Sequence, residues 1–358
     1  MKTLIKFELR KILTKRFSLI SIAVVLLFSF ILAFSAFQGM HAFDGKSTEG
    51  GGKSAVEIDK AIAAKYEGIL TDEKVQKIMT EFKPTYDLQG MNAKYLYLNA
   101  LQSATFSRFS DMDGNWNGLS VSDVFGDGEI KIGYINGWLN TSQNMVKVFI
   151  VLSLIIILLI APVFSSEYSG VDNIILTSRY GKTKCAAAKV TASLLASIFI
   201  TLFVSAFNLI VAFAVYGKEG LDCSILFAPL GFVEGYIPFN ITCGTLLKYQ
   251  ILLAFSSAIS VTGITLLLSA LCKSQMIAFV LSAAVHLMPG MLPISETNAL
   301  YRAIVLMPFY HSQFTSIMSV EQLQSGTLYA IWAGPTALIF LGIGAVISRR
   351  IFAKHQVS

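Results

Sequence analysis

The chain has 358 residues, of which 54% are hydrophobic and only 14% charged, and its mean hydropathy is +0.63. Soluble domains carry about 25% charged residues, so this composition excludes a disordered chain and argues against a soluble enzyme with a solvated shell. The formal charge of +6, from 28 Lys and Arg against 22 Asp and Glu, reads in so apolar a chain as an orientation signal for a membrane protein rather than as a nucleic-acid footprint.

Residues 1–16 place Ile5, Leu9, Ile12 and Leu13 at helical spacing, with Lys2, Lys6, Arg10, Lys11, Lys15 and Arg16 around them. The pattern predicts a basic amphipathic helix in the membrane interface, its cations near the anionic headgroups of membrane lipid. A run without charged residues follows from Phe17 to Phe43, and residues 17–37 suffice for span 1. The basic region, the apolar stretch and Ala33-Phe34-Ser35 together resemble a signal peptide. The apolar stretch is too long for that, and the basic region is a whole helix long, so the segment is expected to remain as a span.

Residues 38–145 are long enough for an α-rich extracellular domain. After a linker at Gly50-Gly51-Gly52, helices are predicted over Ala55–Ile69 and over Asp72–Phe82, the second capped by Thr71 with Pro84 beyond its end. Tyr95–Phe109 is apolar enough to pack on them, and residues 110–138, rich in Gly, Asp and Asn, read as loops and short strands. Asp111-Met112-Asp113-Gly114-Asn115 opens like a calcium loop, but Trp116 and Ser122 stand where that loop needs Gly and Glu, so an Asx-rich turn is expected.

Residues 146–358 hold spans 2–6: Val148 to Ser166, Val190 to Gly217, Tyr249 to Cys272, Ser274 to Ser295 and Gln322 to Ser348. The fifth span is the weakest, since His286, Pro289 and Pro293 fall within it and predict a break or re-entry near its end. His286 is either a functional residue or a partner for a carbonyl freed by Pro289; Asn208 in span 3 poses the same choice. Six crossings put both termini on one side. Arg179, Lys182, Lys184, Lys189, Lys273, Arg349, Arg350 and Lys354 join the N-terminal cations on that side, whereas the opposite short connections carry Lys218, Lys248 and Arg302. Both termini are therefore expected in the cytoplasm. Cys223 and Cys243 share one outer connection and form a candidate disulfide, while Cys185 and Cys272 are expected to be free. Leu300, Ile304 and Met307 predict a short re-entrant or interfacial helix between Pro293 and Pro308.

The loop 165–189 carries the most information. Val171, Ile174 and Ile175 form a short apolar face, with Asp172 in the first turn, Arg179 in the last and Gly181 placed as a C-terminal stop. This predicts a helix lying along the membrane. Gly181-Lys182-Thr183 resembles the end of a phosphate-binding loop, but Leu176 stands where that loop needs its first Gly, so the chain itself is expected to bind no nucleotide. No acidic residue sits mid-span, which disfavours an ion-coupled carrier, and no hydrolase motif is present.

A six-span chain with a basic N-terminal helix resembles the permease subunits of ABC-2 type transporters, in particular the subgroup with a large first extracellular loop. Glu167, Gly170, Leu176, Arg179, Gly181 and Lys189 carry the resemblance; Thr177-Ser178 precede Arg179 where the family more commonly has Pro. The resemblance implies an all-α polytopic protein in a bacterial plasma membrane, pairing with a second permease subunit as a homo- or heterodimer and binding separate cytoplasmic ATPase subunits. ATP and magnesium would belong to those partners, with no cofactor, metal or catalytic residue on this chain. It also implies a coupling element in the ATPase cleft, formed by Glu167, Tyr168, Gly170, Ile174, Ile175, Arg179, Gly181 and Lys182, and outward transport. Apolar spans without a charged path favour a hydrophobic or amphipathic substrate such as a peptide, an antibiotic or a lipid. The alternative is a membrane-anchored receptor or assembly protein whose extracellular domain binds a partner.

Overall fold

The structure is a computed structural model describing residues 1–85, 87–168, 181–229, 239–294, 298–313 and 329–354. Gly170, Ile174, Ile175 and Arg179 of the expected coupling element lie outside the described residues. In chain order the helices are α1 (Lys2–Leu13), α2 (Arg16–Gln38), α3 (Lys53–Tyr66), α4 (Asp72–Glu81), α5 (Ala100–Phe109), α6 (Val121–Phe125), α7 (Asn136–Ile160) and α8 (Pro162–Ser165). They continue as α9 (Ala186–Tyr216), α10 (Cys243–Leu271), α11 (Gln275–Met291), α12 (Ala299–Ile304), α13 (Pro308–Ser312) and α14 (Tyr329–Lys354). Among the described residues, five helical segments are long and apolar enough to cross a membrane: Arg16–Gln38, Asn136–Ser165, Thr183–Tyr216, Cys243–Leu271 and Ala330–Lys354. The predicted fifth span appears as α11, an apolar helix of 17 residues with Pro289 inside it.

Two compact units divide the chain. One comprises Met1–Ser29, Met145–Phe207 and Gln250–Ser358; the other comprises Phe30–Asn144 and Asn208–Tyr249.

In the first unit the usual burial order is inverted. The α2 helix buries Ser18, Ser21, Val25 and Ser29 while exposing Leu19, Ile20, Val24 and Leu27. The same holds for α11, which buries Ala278, Ser282, His286 and Pro289 and exposes Ile277, Val280, Leu281 and Met288. Water would penalise that arrangement. Lipid favours it, because tails are as apolar as Leu and helices then associate through small and hydroxyl-bearing residues. Helices α10 and α14 cross where Gly263 meets Gly344. A Cβ on Gly344 would lie 2.0 Å from the Gly263 carbonyl oxygen, and one on Gly263 would lie 2.3 Å from the Phe340 carbonyl oxygen.

The second unit has a core of Ile62, Tyr66, Val75, Ile78, Phe82, Leu101, Phe106, Phe109, Ile130 and Phe227. Thr71 caps α4 by accepting from the Lys74 N–H, as its sequence position predicts. Helix α3 starts at Lys53 and stops at Tyr66, short of Ile69, because Gly68 turns at φ +109° and Gly68–Ile69 pairs antiparallel with Lys131–Ile132. We label these strands β3 and β4; β1 (His41–Phe43) and β2 (Glu49–Gly51) form a second antiparallel pair. These ribbons qualify the all-α expectation. The segment around 221–228 packs on the same core: Arg108 donates to the carbonyl oxygens of Ala228 (2.8 Å) and Leu226 (3.0 Å), and Lys131 pairs with Asp222. Gly220, at φ +80°, lies so close to Tyr134 that a Cβ would fall 1.6 Å from its carbonyl oxygen.

Asp59 is buried in α3, where it accepts from the Ala100 N–H (3.1 Å) and the Asn136 side-chain amide (3.0 Å), so one carboxylate fixes the starts of α5 and α7. Burial pushes this carboxyl up from 3.8 to about 6, against the two hydrogen bonds.

Two expectations follow. Gly344→Leu should unfold or strongly destabilise the purified protein, since backbone cannot yield as a side chain can, whereas Gly342→Leu, with nothing within 4 Å, should leave its melting temperature unchanged; equal effects would place the helix crossing elsewhere. For Asp59, a native pKa above the unfolded value means that its contribution falls as pH rises from about 4 through about 6. That difference is worth about 3 kcal/mol. Thermal unfolding of Asp59→Asn should therefore gain on the wild type across pH 4 to 7, and a constant difference over that range would show that Asp59 ionises freely.

Candidate functional site

Within the first unit, four charges of two signs meet in the interior. Helix α1 supplies Glu8 and Lys11, one turn apart and on the side that also buries Ile12. The chain reaches Glu167 through a local break. Pro162 has no N–H and ends α7, and α8 starts on it at a new pitch. Ser269 of α10 repairs the break: its hydroxyl donates to the Ala161 carbonyl (2.6 Å) and accepts from the N–H groups of Phe164 (2.9 Å) and Ser165 (3.2 Å). Glu167 follows directly. Lys189 enters from the first turn of α9, where Ala186 and Ala188 are fully buried and leave room for it.

The Lys189 side chain is 0% exposed, and its ammonium has three acceptors for its three protons: Glu167 Oε1 at 2.9 Å, the Val163 carbonyl oxygen at 3.0 Å and Glu8 Oε2 at 3.3 Å. Lys11 donates to the same Glu167 Oε1. Glu167 Oε2, also buried, has no partner among the described residues. Burial alone would raise the Glu167 carboxyl; the Lys189 and Lys11 ammonium groups overcome it and hold the carboxyl below 4.5. For Lys11, burial works against the charge, but the bond to Glu167 and the field of Glu8 raise its pKa above 10.5. Two cations and two anions cancel. The arrangement is an electrostatic lock of two ammonium and two carboxylate groups.

The expected coupling residues are distributed as follows. Glu167 is in the lock. The Tyr168 hydroxyl donates to the Ala270 carbonyl at the end of α10 (2.8 Å), and its ring lies 6.3 Å from Phe352 of α14. Gly181 and Lys182 open a π-helical turn, Gly181–Cys185, that leads into α9. Cys223 and Cys243 lie side by side in the second unit, where the Cys243 N–H donates to the Cys223 carbonyl oxygen at 3.0 Å, and both thiols are free and buried. Burial and the neighbouring Asp222 push the Cys223 thiol up to about 12. The Asp111 carboxylate is engaged by the N–H groups of Asp113 and Asn115, which makes this stretch an Asx turn.

Sequence reasoning missed Glu8. It is the only acid in the first 43 residues, and a lone carboxylate beside the apolar stripe of a basic helix is the signal that identifies it. It also missed a hydroxyl seam. Ser193, Ser197, Thr201 and Ser205 recur every fourth residue along α9 and are all buried, as are Ser257, Thr262, Thr265 and Ser269 of α10. Ser197 and Thr262 meet at 2.6 Å, and Ser153 of α7 reaches Ser257 at 3.2 Å. Near this seam the His311 ring lies against the Ser256 hydroxyl (3.2 Å), and neither nitrogen of buried His286 has a partner among the described residues. Thus His286 does not satisfy a carbonyl freed by Pro289. Compared with known proteins, the sequence matches no family model and no curated sequence.

Removing one member of a buried ion cluster costs about 3–5 kcal/mol, because its partners keep their charge without water. Lys189→Met should lower the unfolding temperature of the detergent-purified protein accordingly, and Lys189→Met combined with Glu167→Leu should recover part of the loss. A carboxyl held below its ordinary pKa contributes stability above pH 4.5 and loses it as pH falls through the folded value. Acid unfolding should therefore set in more gradually for Glu167→Gln than for the wild type, and identical acid profiles would remove Glu167 from the lock.

Proposed function

We propose that this chain is the permease subunit of an ATP-binding-cassette exporter, driven by a separate cytoplasmic ATPase and moving a hydrophobic or amphipathic substrate outward. The observation that carries the reading is the ion lock. It ties the basic N-terminal helix to residues on both sides of the loop 168–182, the segment through which a permease of this layout receives force from its ATPase. In this reading α11 is the sixth crossing. Its 17 residues meet the lower limit of about 17 for a spanning helix, and its outward apolar face supports the assignment. With six crossings, the distribution of Lys and Arg supports a reading in which both termini lie in the cytoplasm and residues 38–145 lie outside, in a bacterial plasma membrane. The inward hydroxyls of α9 and α10, with no carboxylate among them, suit an amphipathic cargo better than a bare ion. A second permease subunit, identical or related, completes the assembly.

The test is affinity purification of the full chain from its native host in mild detergent, with mass spectrometry of what co-elutes. A stoichiometric ATPase with a phosphate-binding loop should accompany the wild type and be lost from Arg179→Glu, while both forms insert and fold equally. Arg179 is the better choice for this experiment because Glu167→Ala would also unlock α1. If no ATPase is captured even after crosslinking, the permease reading falls and the anchored-receptor reading takes its place.

A further inference from the structure

A pocket of about 520 Å³ lies within the first unit beside the lock, within the roughly 300–1,000 Å³ range of small-molecule sites. Its floor is apolar: Phe17 of α2, Leu158 of α7, Pro162 of α8, and Met276 and Phe279 of α11. Its rim is charged and belongs to α1 and the turn that follows, with Glu8, Lys11 and Lys15. Of these, Glu8 and Lys11 are occupied by the lock. Lys15 is exposed and has no ion-pair partner among the described residues. The wider surface of α1 adds exposed Lys2, Lys6 and Arg10 and no acid other than Glu8, and exposed Arg16 opens α2.

We infer that this pocket is a binding site for an anionic glycerophospholipid, with one acyl chain on the Phe17–Leu158–Phe279 floor and its phosphate oxygens accepting from Lys15. The chemistry at the two ends selects this occupant. A lining that is mostly apolar, with Ser18, Ser166 and Gln275 as its uncharged polar side chains, suits a hydrocarbon chain, and burying one there removes both surfaces from water or headgroup. A rim with one uncommitted ammonium, in the turn after a helix whose exposed ionic groups are all cationic, suits a phosphodiester and disfavours a zwitterionic headgroup, whose own cation would meet the same field. Glu8 and Lys11 belong to both the pocket wall and the ion lock, so an occupied pocket supports α1 from below while the lock holds it from the side. The inference requires membrane insertion only and does not rest on the permease reading.

The test uses the full chain in mild detergent, supplemented with phosphatidylglycerol carrying a photoreactive group on one acyl chain, followed by peptide mapping. The expected crosslinks fall on peptides containing 158–166 and 275–279. Unlabelled phosphatidylglycerol should compete at least about fivefold better than phosphatidylcholine, and Lys15→Glu should erase that preference while the protein melts normally. Leu158→Trp, which fills the floor, should suppress crosslinking at these peptides; if it fails to fold, Lys15→Glu still decides the matter. Crosslinks confined to the outer faces of α2 and α14, or equal competition by the two lipids, would overturn the site. Oleate competing as well as phosphatidylglycerol would overturn the phospholipid assignment in favour of a simple fatty-acid slot, and a protein–protein crosslink at the same peptides would assign the pocket to a second copy of the chain.

Discussion

A fully buried lysine ammonium is the constraint around which the first unit is arranged. Lys189 has no access to water, so its three protons must find acceptors inside the protein or the charge cannot stay there. Glu167, Val163 and Glu8 meet that demand from two stretches of chain. Such clusters are weak sources of net stability, since apolar residues of similar volume often serve as well. What this one supplies is register. An apolar contact tolerates sliding by a few tenths of an ångström, but an ammonium with three directed acceptors does not. The position of α1 against α8 and α9 is thus fixed by direction as much as by contact.

The rest of that unit follows from the solvent its helices were built for. With large side chains turned outward, little hydrophobic force remains to hold helix to helix. Close approach and hydroxyls take over. Gly263 and Gly344 let α10 and α14 approach to backbone contact, and Ser269 repairs the hydrogen bonds that Pro162 breaks. The seam along α9 and α10 places hydroxyls face to face where a soluble core would place Leu on Leu. The second unit behaves in the ordinary way, with Phe82, Phe106, Phe109 and Ile130 inside and a buried carboxylate, Asp59, organising two helix starts.

Sequence periodicity and capping located most of the local elements, because both are local signals. Thr71 and the apolar face of α1 are examples, whereas Pro289, where a break is expected, lies inside α11, which runs on to Met291. The end of α3 was not legible, because what stops it at Tyr66 is pairing with Lys131–Ile132, more than sixty residues away. The same limit hid the docking of residues 221–228 on the core through Arg108, a contact across more than a hundred residues. Glu167 and Lys189 stood out in the sequence, but only as members of a loop pattern. Glu8, which accepts from Lys189, and Lys11, which donates to Glu167, both near the start of the chain, turn two marked residues into a site. The hydroxyl seam escaped because Ser and Thr lower hydropathy too little to interrupt an apolar run, although their four-residue spacing along α9 is plain once the helix axis is drawn.

The two sides of the loop 168–182 are held differently, and the coupling proposal gives that asymmetry a consequence. On the Glu167 side the chain is pinned by the lock, by the Tyr168 hydroxyl on Ala270 and by packing of Phe164 and Tyr168 around Phe352. On the other side the chain enters α9 through a π-helical turn, Gly181–Cys185, a geometry that recurs at functional sites. That turn leads directly into the helix that carries Ser193, Ser197, Thr201 and Ser205, so under the coupling proposal a displacement of the loop would reach the hydroxyl face of α9. The lock at Lys189 sits between the two, and any rotation of α9 must strain the bonds to Glu8 and Glu167 before it can reach the seam.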